Sequence, residues 1–112
     1  MDSILTSVKK MLGITDEYDV FDKDIIMHIN SVFMILTQLG VGPAKGFTIT
    51  DKNAKWTDFI PEENKNFESV KSYMFLKVRL IFDPPTGSVV KECVQQMINE
   101  LEWRLNLAAE ST

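Results

Sequence analysis

The sequence predicts a mainly α-helical single domain: a bundle of about four helices with a small β-hairpin or extended loop inserted between the second and third. Three observations carry that expectation. Apolar residues recur at spacings of three and four through three long stretches, the signature of one-sided helices. Glycine and proline stand at the ends of those stretches rather than inside them. The helical period is lost only once at length, over residues 41–60, where β-branched and aromatic residues alternate with polar ones. With 112 residues, the chain is sized for one domain, here read as 1–112 throughout.

The first helix is expected over about residues 2–12, capped by Asp2 or Ser3 and ended by Gly13. Asp16, Glu17, Tyr18 and Asp19 then make a polar connection. The second helix, about 22–39, opens at Asp22 as N-cap, with Phe21 and Ile26 placed as a hydrophobic staple. Ile25, Ile29, Val32, Leu36 and Leu39 form its stripe, and Gly40 with Gly42-Pro43 closes it. In the insert, Phe47-Thr48-Ile49-Thr50 reads as a strand, Asp51-Lys52-Asn53-Ala54 as a turn and Lys55-Trp56-Thr57 as a return strand. A lone hairpin is marginal in water, so it must lean on the helices or on a partner. Pro61, Glu62 and Glu63 favour a third helix over about 62–82, stopped by Asp83-Pro84-Pro85. Ser88 is placed to cap a fourth, about 88–108, with Val90, Val94, Met97, Leu101, Leu105 and Ala108 as its stripe.

Composition excludes more than it selects. A formal charge of −4 is the wrong sign for a protein whose task is to neutralise phosphates. No apolar run is long enough to span a bilayer, and Met1-Asp2-Ser3-Ile4-Leu5 lacks the basic-then-apolar pattern of a secretory signal. One cysteine, Cys93, rules out an internal disulfide, and one histidine, His28, leaves no conventional zinc set. Both sit in apolar helical contexts and read as packed side chains rather than a nucleophile and base. The acidic group Asp16, Glu17, Asp19, Asp22 and Asp24 lacks the calcium-loop pattern and suits a helix N-terminus. Gly40 to Gly46 lacks the Gly-Lys-Ser/Thr of a phosphate loop. Basic residues do not cluster, which argues against direct DNA reading. No catalytic residues, metal or cofactor are expected.

The apolar surplus is more telling. At 100° per residue, Met27 and Met34 fall opposite the main stripe of the second helix, and Tyr73, Leu76 and Leu80 make a second face on the third. Trp103 lies on the polar side of the fourth, near Glu92, Gln96 and Asn99. A chain this short is not expected to bury both faces of several helices, so these six residues are candidates for contact with other chains. Within the insert, Phe47, Ile49, Trp56 and Phe59 are candidates for a segment that reaches a neighbour.

Whole strings of the chain resemble the small head–tail connector proteins of tailed phages and prophages. They are residues 3–14 (Ser3-Ile4-Leu5 through Gly13-Ile14), Asp24-Ile25-Ile26-Met27-His28-Ile29-Asn30, Gln38 to Pro43, Lys55-Trp56-Thr57-Asp58-Phe59, Phe75 to Pro85, and Glu102-Trp103-Arg104-Leu105-Asn106. The resemblance implies a non-enzymatic virion structural protein of the head–tail junction, also described as an adaptor, head-completion or DNA-packaging protein. Made in the bacterial cytoplasm, it would bind beneath the portal after DNA packaging as a ring of about twelve copies, whose contacts are heterologous. Its partners would be itself, the portal and tail-side completion or tail proteins, with DNA passing through the lumen without sequence-specific binding and no membrane involved. Two other readings stand beside it. One is a small cytosolic regulator with a single apolar groove for a partner helix. The other is a metal-dependent hydrolase built on Asp16, Asp19 and Asp22.

Overall fold

A computed structural model describes residues 3–110 of the chain. It contains α1 (Ile4–Met11), α2 (Asp22–Gln38), the single turn α3 (Trp56–Phe59), α4 (Phe67–Phe82) and α5 (Ser88–Glu110). The mainly helical expectation holds, and the hairpin is the part that does not: no strand occurs among the described residues, only an isolated bridge between Ser3 and Lys55.

Helix α1 starts where Ser3 Oγ accepts a hydrogen bond from the Thr6 amide at 3.1 Å. The alternative cap, Asp2, lies outside the described residues. Helix α2 begins at the expected residue but not by the expected means. Phe21 occupies the cap position without a side-chain bond, while Asp22 is turned toward α1. There its Oδ1 lies 2.9 Å from Nζ of Lys9, a lysine only 1% exposed. A buried ammonium needs a counter-charge more than a helix start needs a cap. Lys9 also donates to the Asp16 carbonyl at 3.0 Å, which ties the polar connection to the bundle. Phe21 packs against Tyr18 and edge-on against Phe82, so the helix entry is braced by aromatic rings.

The insert folds as an irregular strap. Asn30 of α2 takes the place of a partner strand: its Nδ2 donates to the Ile49 carbonyl at 3.0 Å and its Oδ1 accepts from the Ile49 amide at 2.8 Å. The expected return strand is instead α3. Asp58 Oδ2 accepts from the Lys55 amide at 2.8 Å, which starts a helical turn at Trp56. The N-terminus supplies the remaining partners, with the Ile4 amide donating to the Ala54 carbonyl and Trp56 Nε1 to Ser7 Oγ, both at 2.9 Å. Phe33, Phe47 and Phe59 stack in mutual contact beneath the strap. Gly42 has φ +84°, and a Cβ there would lie 2.4 Å from the Phe59 ring, so the strap crosses that ring at a distance only glycine allows.

Helix α4 starts at Phe67, five residues after the expected start. The Asn66 amide donates to Asn64 Oδ1 at 2.8 Å, and this local turn captures the backbone that Pro61 was expected to launch. Helix α4 is the central element, packed against α1, α2 and α5. Val70, Met74 and Val78 are fully buried, and so is Tyr73. In α5, Val94, Ile98 and Leu105 carry the buried side. Val90 and Met97, assigned to that stripe from the sequence, are exposed, as is Cys93. The stripe rotates because α4 is the helix α5 chiefly packs on, and one neighbour buries only a narrow seam. Ser88 is the first helical residue of α5 rather than its cap, and the Gly87 carbonyl accepts the Lys91 amide at 3.0 Å.

Candidate functional site

The residues singled out for outside contact divide into two groups. Met27, Met34 and Trp103 are exposed at 58%, 60% and 65%. Tyr73 and Leu76 are buried and Leu80 is half-buried, a correction with a simple cause: α4 has a neighbour on both sides, so its second apolar face belongs to the protomer's own core. Tyr73 donates to Glu102 Oε2 on α5 at 2.5 Å, and Lys77 Nζ lies 3.9 Å from the same oxygen. Burial, the hydrogen bond to Glu102 and that carboxylate's charge together push the Tyr73 hydroxyl well above its ordinary value. The group clamps α4 to α5 as a structural lock.

The insert residues are corrected in the same way. Ile49, Trp56 and Phe59 are buried and Phe47 is half-buried, all directed into the domain. A strap held down by Asn30 and by the N-terminus spends its apolar side chains on its own core, so these four do not form a reaching arm.

What the strap does create is a groove. Its residues Lys45 to Thr48 run beside the outer face of α2 and enclose an open trough of about 850 Å³. Met27 and Met34 line its apolar floor, Asn30, Ser31 and Thr37 add polar groups, and Lys23 and Lys45 bring positive charge with no carboxylate in the lining. Sequence inspection finds the two methionines but not the groove, because the second wall comes from a segment held by a side-chain contact distant in sequence. It also understates α5, where Val89, Val90, Met97 and Leu107 are exposed together with Trp103. The signal was present as more apolar residues on that helix than one stripe needs.

Two of the acidic residues around the start of α2 have structural partners: Asp22 pairs with Lys9, and Asp16 Oδ1 accepts from the Thr6 hydroxyl at 3.1 Å. What stands out on this molecule is therefore exposed apolar surface on α2 and α5. A family model described as phage connector protein matches residues 4–112. The chain belongs to the phage connector protein family. No curated protein and no solved structure matches it significantly. The family is one of structural, non-enzymatic virion proteins that work with other head and tail proteins. No helix among the described residues is long and apolar enough to cross a membrane.

Proposed function

We propose that this connector assembles as a closed ring beneath the portal after DNA packaging and offers the surface to which tail-side proteins attach. The observation that supports this reading is the presence of two separate exposed apolar faces. Met27 and Met34 are exposed on α2 and Trp103 on α5, each on the side away from its own helix's buried stripe. Two different surfaces are what a head-to-tail ring subunit needs, since each neighbour is met by a different patch. A formal charge of −4 suits a lumen through which DNA passes without sticking.

The groove on α2 also fits a regulator that captures one partner helix, but such a protein has no use for the second face carrying Trp103. The test is co-expression with the portal protein of the same phage, followed by affinity purification and light scattering coupled to size exclusion. A portal complex carrying a ring of about twelve connector chains is expected. A connector that remains monomeric and never co-purifies with that portal overturns the assignment.

A further inference from the structure

Resting on the ring reading, we propose that the groove on α2 receives the outer face of α5 from a second copy of this chain. The groove has an apolar floor of Met27 and Met34 and is basic, through Lys23 and Lys45. Among the described residues neither lysine has an intramolecular salt bridge. The outer face of α5 has the reverse character. Opposite the buried seam of Val94, Ile98 and Leu105, the 100° spacing groups Glu92, Gln96, Glu100, Trp103 and Leu107. Glu92 has no salt bridge among the described residues, whereas Glu100 is already held by Arg104 at 2.7 Å.

The two surfaces complement each other in shape and charge. A helix laid along the trough places Trp103 on the methionines, where thioether–aromatic contacts are favourable. The lysines occupy opposite ends of the trough. Lys23 is in the first turn of α2, and Lys45 follows its C-terminal end on a strap that returns to Asn30 at Ile49. Glu92 and Glu100 are eight residues apart on α5, about 12 Å along its axis. Trp103 follows one turn beyond Glu100, so an acidic stretch and then the tryptophan run along the face as a lysine end and then the methionine floor run along the trough. The surfaces are two different patches of one protomer, so the pairing is head-to-tail and repeats from copy to copy rather than ending at a dimer.

The test uses two otherwise intact chains in a Cys93→Ser background, one with Ser31→Cys in the groove and one with Asn99→Cys on α5, one turn before Trp103. Mixed at millimolar concentration under mild oxidation, they should form the mixed disulfide in preference to either homodisulfide. Trp103→Ala should lower its yield about tenfold, as for the loss of an interface anchor. Lys23→Glu with Lys45→Glu on the first chain should abolish it, and adding Glu92→Lys with Glu100→Lys on the second should restore it. Homodisulfides at equal yield, or failure of the reversed charges to rescue, overturn the pairing. If the chain still co-purifies with its portal while the mixed disulfide fails, the connector assignment stands and this interface is wrong.

Discussion

Removing Asp22 from its pair with Lys9 is expected to cost far more than removing Lys9. The asymmetry follows from where each charge sits. Lys9 is 1% exposed and Asp22 28%, with 2.9 Å between Nζ and Oδ1. In Asp22→Asn the ammonium stays buried with only the Asp16 carbonyl and a neutral amide beside it. Leaving a buried charge uncompensated costs about 3–5 kcal/mol, and the partial exposure of Asp22 puts this case near about 3. For a domain this size, that lowers Tm by about 12 °C. In Lys9→Met the methylenes are replaced almost in kind, while the freed carboxylate, 28% exposed as a side chain, can turn its buried Oδ1 out to solvent. The cost should stay within about 1 kcal/mol. The double variant should then recover most of the Asp22→Asn loss, with a coupling of about 3 kcal/mol. Urea titrations followed by far-UV circular dichroism measure all four corners of the cycle. Equal losses in the two single variants, or a more damaging Lys9→Met, would refute the assignment of the cost to the stranded ammonium.

Tyr73 keeps its proton in the folded state above the value of 10.0 at which an unfolded tyrosine loses it. Its contribution is therefore complete below pH 10 and declines as the pH rises beyond it. Tyr73→Phe should cost about 1–2 kcal/mol at neutral pH and flatten the alkaline fall in stability, read from urea midpoints at pH 8 to 11. Gly42→Ala combines a left-handed φ with a clash against Phe59 and should destabilise by about 2–4 kcal/mol in the same titration. Asn30→Ala removes both bonds to the Ile49 backbone, so it should cost about 2 kcal/mol and speed hydrogen exchange at the Ile49 amide at least tenfold, while α5 amides stay protected.

What could be read in advance depended on the range of the interactions involved. The stripe of α2 was legible because Ile25, Ile29, Val32 and Leu36 share one face whatever they pack against. On α4 the same wheel showed two apolar faces, and their meaning turned on the number of neighbours, which periodicity does not report. Tyr73 and Leu76 lie in the core because the central position on this bundle fell to α4. In the strap, Phe47 to Thr57 satisfies strand preferences locally, yet its decisive partners are Asn30 and the residues around Ser3, each far away in sequence. Lys9 was illegible for the same reason, since a lysine looks surface-bound until Asp22 is beside it. On the interaction surfaces, Met27, Met34 and Trp103 stood out early because they contradict the polar faces that carry them. Lys23 and Lys45 gained meaning only when the strap had brought them to one trough.

The attachment of the N-terminal segment to the strap also orders events during synthesis. Ile4 and Ser7 complete their hydrogen bonding with Ala54 and Trp56, which are made about fifty residues later. Closing a loop of that length costs about 3.5 kcal/mol of chain entropy before any contact repays it. Helices α4 and α5 meet across the short 83–87 connection, which by the same measure costs only about 1.4 kcal/mol to close. Helix α1, made before the strap, is thus among the last segments to settle, and the wall of the α2 trough is finished only when it does.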